Sequence, residues 1–438
     1  MKKTVILTIA ALAAATGAMA QSAVNPAETA SLGAYLRVGE FQSSTRNNVG
    51  AASFLFPSGE KLVTGLHSSV SDDEFLGGLR PVNSVYSQMD YNLVSFGWKG
   101  SSDSFQTVDI NVRGNYGLSV PKEIFGILKT GTAGSPYDLS SFKAFGNLFA
   151  EVAYGYSMPL GSTLSVGGRV KLLAGLNSVD IVTRNLALTT TEDQYRIDLD
   201  ADIDLTNRNK KVGTDDAGNL DYTSFTGKGK LGVPAGAGLA IDLGFVWKPF
   251  DGFSLGACVR DLGGILWYYG NAGKSDASYT FTGLEELSTE EMDQGEIASK
   301  ISAVGEELLG VIRPKDAGGV FKFKAVPLSA DLKASYALPF VKFLSVDASC
   351  GYTGYSFCAP YWEARGGLSV DFPGLARLSV NAGGGAFGPV YGVEGSVEFL
   401  AFRLSAGFRN GIGGVIPYEN IPLKANNKVF SLGLTYLL

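Results

Sequence analysis

The segment Phe430-Ser431-Leu432-Gly433-Leu434-Thr435-Tyr436-Leu437-Leu438 decides the fold. Successive side chains of a strand point to opposite faces. Phe430, Leu432, Leu434, Tyr436 and Leu438 therefore share one face, and Ser431, Gly433 and Thr435 share the other. One face is apolar and large, the other small and polar. The same alternation recurs upstream. Val108, Ile110 and Val112 alternate with Asp109, Asn111 and Arg113. Val166, Val170 and Leu172 alternate with Arg169 and Lys171, and Leu328 to Tyr336 alternate with Ser329, Asp331 and Lys333. Trp362 and Ala364 alternate with Glu363 and Arg365, and Phe402 to Phe408 with Arg403 and Arg409. Several segments reach about ten residues, the length a tilted strand needs to cross a bilayer.

Composition agrees. The chain has 438 residues, 57 of them Gly, with 11% aromatic and only 18% charged. An average soluble domain carries roughly 25% charged residues. The net charge is −6 and no basic tract exists, which argues against a nucleic-acid partner. One His and three Cys cannot build an ordinary zinc site or a disulfide framework.

Lys2-Lys3, the apolar run Thr4–Thr16 and Ala18-Met19-Ala20 form a secretory signal cleaved after Ala20. No later run has the ~18 apolar residues of a membrane helix. An exported chain of positive mean hydropathy then has one membrane-spanning solution, a closed barrel that satisfies its backbone internally. The expected fold is all-β: a transmembrane antiparallel barrel of about 14–16 strands in a bacterial outer membrane, with helical insertions in its outer loops. Counting strands back from the C-terminus gives about sixteen. The expected division is a signal over 1–20, an N-terminal periplasmic or plug segment over 21–48 and the barrel over 49–438.

Short turns fall at Pro159–Gly161, Pro249–Gly252, Pro339–Val341, Pro373-Gly374 and Leu400-Ala401. Long connections fall near 119–143, 207–233, 263–324 and 410–427. Short turns belong to the periplasmic side and long loops to the outside. Aromatics such as Tyr154, Trp247, Phe250, Phe340, Phe343, Phe372, Phe399 and Phe402 gather at one set of strand ends, as in an interfacial girdle. Within 263–324, Ser288 and Glu291 have capping-box spacing, and Met292, Ile297, Ile301, Val304 and Leu308 form a helical stripe. Pro121–Lys129 reads as a second loop helix with Pro at its start.

The inferred inward face is charged: Asp109, Arg113, Glu151, Arg169, Lys171, Asp242, Arg260, Asp331, Lys333, Glu363, Arg365, Arg377, Glu394, Glu398, Arg403 and Arg409. The ladder Asp198, Asp200, Asp202 and Asp204 is counted among these lumen charges, neutralised by Arg196, Arg169 and Lys171. Calcium is the less favoured reading, since calcium loops wrap their ligands around the ion. No metal or cofactor is expected. His67 has no second His, and no nucleophile elbow is present, so an enzyme is not expected. A Cys350–Cys358 bridge is left open.

Asn25-Pro26-Ala27 resembles the NPA element near the mature N-terminus of the FadL long-chain fatty-acid transporter family. Val94–Trp98, Val120–Phe125 and Arg260–Trp267 resemble an uncharacterised outer-membrane barrel family related to it, whose superfamily includes PorV-type secretion shuttles. The resemblance implies fourteen strands and either of two roles. One is a passive conduit or binder for a small molecule, hydrophobic ones included; since the strands line the lumen with charge, an apolar passage would have to come from 25–48 or from the loops with Phe125, Ile127, Trp267, Tyr268 and Tyr269. The other is a scaffold whose outer loops bind a secreted or surface protein. Outer-membrane lipid is the partner common to both.

Overall fold

The computed structural model describes residues 25–31, 33–59, 61–132, 136–191, 194–207, 212–221, 234–281, 313–341, 343–354, 360–386, 388–412 and 425–438. Fourteen antiparallel strands close on themselves: β1 Tyr35–Asn47, β2 Val82–Lys99, β3 Phe105–Pro121, β4 Lys143–Leu160, β5 Leu164–Thr190, β6 Gly236–Trp247, β7 Phe253–Trp267, β8 Leu328–Ala337, β9 Leu344–Gly354, β10 Tyr361–Phe372, β11 Ala376–Gly385, β12 Gly388–Phe399, β13 Phe402–Ile412 and β14 Ala425–Leu437. Each pairs with its sequence neighbours, and β1 pairs with both β2 and β14. Closure leaves no sheet edge along the wall.

Fourteen lies within the expected 14–16 strands, and only the back-count of sixteen from the C-terminus is too high. Two further strands lie outside the closed wall: Tyr195–Asn207 pairs with the far half of β5, beyond the end of β6, and Asn271–Phe281 pairs with Tyr195–Asn207. They extend the wall as an outer sheet. Alternation alone cannot distinguish such strands from spanning ones. Nor does β1 belong to a plug. Tyr35–Asn47 pairs with both neighbouring strands of the barrel, so among the described residues of 21–48 the part that enters the lumen is the 3₁₀ turn Pro26–Ser31 with Asn25 before it.

The outward face is apolar around the circumference. Val170, Leu172, Leu239, Leu243, Leu368, Leu378, Val380 and Leu404 are each more than half exposed. The inward face carries the buried polar groups, among them Asp109, Glu151, Lys171, Asp242 and Glu363. A soluble protein has the opposite arrangement. The short turns all lie at one end, where Phe250, Phe340 and Phe399 stand exposed. Ring pairs Phe250–Phe253, Phe343–Phe372 and Phe402–Tyr436, with centroids 5.2, 5.3 and 5.2 Å apart, reinforce that girdle.

At the other end, residues 48–81 fold against the helix α2, Lys122–Thr130. Before it in the chain lies α1, Asp72–Gly77, capped by the Ser71 hydroxyl, which accepts the Glu74 N–H. The 288–308 helix expectation, Cys358 and the signal segment 1–20 lie outside the described residues.

Candidate functional site: the charged lumen

Three local irregularities of the wall decide which charges face inward. The most consequential is in β7. Register shifts between Ile241 and Leu243, so Arg260 and Asp261 both stand opposite Asp242. Asp261 takes φ 62°, a left-handed conformation that Asp tolerates better than most residues. The bulge turns its side chain from the lipid face into the lumen, where it is 3% exposed. Asp242 Oδ1 accepts the Asp261 N–H at 2.8 Å and holds the bulge. Gly263 and Gly264 follow because the strand is tightly flanked. A Cβ on Gly263 would lie 2.0 Å from the Leu239 carbonyl oxygen. In β1, Gly39 at φ 73° makes a comparable break that buries Glu40 beside Arg37, at 2.8 Å. β2 shifts register between Asn92 and Val94.

On the β2–β7 side of the lumen, Arg113 is the centre. Its guanidinium donates to both Asp261 carboxylate oxygens at 2.8 and 2.9 Å, to Asp90 at 2.9 Å and to Glu151 at 3.0 Å. Lys171 lies 2.7 Å from Asp261 and 2.8 Å from Asp242. Arg169 lies 3.5 Å from Asp109 and 3.8 Å from Asp242. The Ser95 hydroxyl donates to Asp109. Five carboxylates thus meet three cations.

Across the barrel, seven strands away, a second cluster forms from β10, β12, β13 and β1. Glu363 accepts from Arg409 at 2.7 Å and from the Tyr361 hydroxyl at 2.7 Å, and lies 3.1 Å from Arg365. Arg365 and Arg409 lie 3.6 and 3.7 Å from Glu394. The Arg46 guanidinium covers the Tyr361 ring at 4.0 Å. Here three arginines meet two carboxylates. Arg409 reaches Glu363 over bare backbone: a Cβ on Gly392 would sit 2.8 Å from Arg409 Cγ. Between the clusters lies a cavity of about 250 Å³, onto which both open. A second cavity, about 540 Å³, lies toward the short-turn end between β8 and β13. Lys333, Ser349, Arg365 and Glu394 line both, so this set forms the passage from one to the other.

The N-terminal turn sits at the short-turn half of β4–β7. Asn25 Nδ2 donates to the Phe245 and Ala257 carbonyls at 2.9 and 3.3 Å. Its Oδ1 accepts the Ala27 N–H at 3.0 Å, and Thr29 Oγ1 lies 2.8 Å from Ser157 Oγ. The seat exists because Gly167 and Gly244 carry no side chain. A Cβ there would lie 2.5 Å from the Pro26 carbonyl carbon and 2.2 Å from Asn25 Oδ1.

All sixteen inward charges read from alternation line one of the two cavities, including Arg169, Lys171, Glu394, Glu398, Arg403 and Arg409. Glu398 accepts from Arg403 at 2.8 Å. Asp198, Asp200 and Asp202 do not line the lumen. They stand on the outer sheet, where Arg184 binds Asp200 and Asp202 and Arg196 binds Asp198 at 2.9 Å. Asp204 pairs with Lys322 at 2.7 Å. The expected partners Arg169 and Lys171 are spent on Asp109, Asp242 and Asp261 instead.

The four aromatic positions do not converge. Phe125 packs 5.4 Å from Phe54 and 6.2 Å from Phe75, inside the small core of the 48–81 lobe. Trp267 is 1% exposed among Phe149, Leu173, Ile265 and Val326. Tyr268 and Tyr269 stand half-exposed at the rim, their N–H groups both donating to the Ala235 carbonyl. Sequence parity missed Asp261, because a bulge breaks the period, and Asp90 and Glu40, whose strands break register nearby. The Asp-Leu-Gly-Gly run 261–264 was the available signal for the bulge.

Among the described residues no group of His, Cys, Asp and Glu is arranged to hold a metal ion. A model for a family of unknown function, DUF5723, matches residues 26–359. No curated protein matches the sequence. Among solved structures, the chain is similar to the Pseudomonas putida toluene transporter TodX, at 9% identity and TM-score 0.41, covering 96% of this chain and 93% of that one. It is also similar to a Pseudomonas aeruginosa FadL homologue, at 13% and 0.41, covering 94% and 92%. The Ralstonia pickettii toluene transporter TbuX gives 10% and 0.41, covering 94% and 91%. Likeness at this level carries no function with it.

Proposed function

The chain belongs to DUF5723, a family of unknown function, and we propose that it is a passive outer-membrane conduit or binder for a small molecule, with no catalytic role. The observation that carries this reading is the inside-out wall. Its outer face is apolar and its inner face charged, and two cavities within it meet at Arg365 and Glu394. A closed barrel of this kind is stable only with lipid outside and water or solute inside. The short turns, the aromatic girdle, the start of β1 and the end of β14 face the periplasm, and the 48–81 lobe and the outer sheet face outward. The lumen disfavours apolar cargo, because every wall of both cavities presents ions.

A second reading keeps a hydrophobic cargo. Tyr268, Tyr269, Phe321 and Phe323 stand 40, 40, 77 and 63% exposed at the outer rim, an apolar landing site that bypasses the charged lumen. The purified mature protein in planar bilayers decides whether the lumen conducts. Discrete current steps are expected. A silent barrel that retains an apolar molecule in native mass spectrometry would replace the first reading by the second. A protein retained at fixed ratio would instead favour a scaffold built on the outer loops.

A further inference from the structure

Resting on the conduit reading, we propose that the cavity between the two charge clusters is a site for a small zwitterion, with its ammonium toward Asp90 and its carboxylate toward Arg365 and Arg409. The two walls of the cavity differ in sign. The β2–β7 wall has five carboxylates against four cations, one of which, Arg260, is paired with Asp331 of β8 at 2.8 Å, and the facing wall has three arginines against two carboxylates. Most of the first cluster is sealed: the Glu151, Lys171, Asp242 and Asp261 side chains are 0 to 5% exposed. Asp90 is its open carboxylate, at 29%. On the far wall the Arg365 and Arg409 side chains are 15 and 19% open. A negative and a positive contact point therefore face each other across about 250 Å³, room for a solute of amino-acid or dipeptide size.

Charge balance selects a zwitterion over a simple ion. A lone cation satisfies one wall and is repelled by the other, and a lone anion does the reverse. A molecule with both charges satisfies both walls and adds no net charge to a low-dielectric interior. A neutral polyol of equal size gains neither contact. Hydrogen bonds to charged groups carry enough free energy that losing one end changes affinity about tenfold.

The test is proteoliposome swelling with the full mature protein, comparing glycylglycine, a zwitterion at neutral pH, with the uncharged polyol erythritol of similar size. Glycylglycine is expected to enter roughly tenfold faster. Asp90→Asn and Arg365→Gln should each bring the ratio of glycylglycine to erythritol entry close to one, with erythritol entry measured in the same variant as the reference. Arg377→Gln, which alters only the periplasmic cavity, should keep the preference. Heat-modifiable migration in gels verifies that each variant is folded. Asp90→Asn carries the test if Arg365→Gln fails to assemble. Equal entry of the two solutes, or a preference that survives Asp90→Asn, overturns the zwitterion site and leaves the conduit standing. Entry of neither solute overturns both.

Discussion

Asp261 is the residue on which the charge lattice turns. It accepts two hydrogen bonds from Arg113 and one from Lys171, and the backbone bulge exists to deliver it. Removing one member of a buried ion cluster leaves the others uncompensated, at about 3–5 kcal/mol. Asp261→Ala is therefore expected to destabilise the barrel by that amount in reversible denaturant unfolding from detergent. A loss below about 1 kcal/mol would mean that Arg113 is solvated and that the lattice is not structural. Residues of this kind mark where the sequence stops being legible. Parity along a strand assigned Arg113, Glu151, Lys171 and Asp242 to the lumen because a strand has period two. It sent Asp261 to the lipid because a bulge adds one residue and resets the period, and only the pairing with β6 reveals that.

At the scale of elements, the two features beyond the wall behave differently. Two arginines neutralise the acidic ladder of the outer sheet: Arg184 from the neighbouring strand β5 and Arg196 from the ladder's own strand. Hydrogen bonds from Arg184 hold Asp200 below the usual carboxylate range, and hydrogen bonds from Arg196 do the same for Asp198. A depressed folded-state pKa contributes stability that is present above the unfolded value, about 3.9, and lost as pH falls through the folded one. Acidification below about pH 4 is expected to speed hydrogen exchange over 195–207 while β10–β13 stay protected. Equal protection at low pH would show the sheet held by packing alone. Asp200→Asn should leave bilayer conductance unchanged, since the residue lies outside the lumen. The periodicity of 195–205 was fully legible, but its height above the membrane was not, because outer and spanning strands alternate alike. The N-terminal turn is the second such feature. Its seat depends on missing side chains, so Gly244→Leu is expected to displace Asn25 and raise single-channel conductance. Unchanged conductance would show that Asn25–Ser31 does not obstruct the lumen.

At the scale of the whole molecule, equal exposure has unequal meaning. Val170 is 54% exposed on the wall and Leu128 is 61% exposed on α2, beyond the barrel. Val170→Arg should cost about 2–4 kcal/mol in lipid, and Leu128→Arg within about 0.5 kcal/mol of nothing. Similar costs would mean that water, not lipid, meets β5. The large-scale plan was readable from sequence because alternation, short turns and girdle aromatics are repeated many times along the chain. The ligand class was not, because it depends on which charges end up opposed across the lumen, and that follows from closure at fourteen strands. The central claim is that the charged face of this wall meets water and the apolar face meets lipid. Single-cysteine labelling along β11 in a background free of native cysteine, from Arg377 through Leu378, Ser379 and Val380 to Asn381, tests it most directly. Reaction with a small hydrophilic maleimide in intact membranes is expected at 377, 379 and 381, which line the periplasmic cavity, and not at 378 and 380. Uniform labelling of all five positions, or labelling of 378 and 380 alone, would contradict the account.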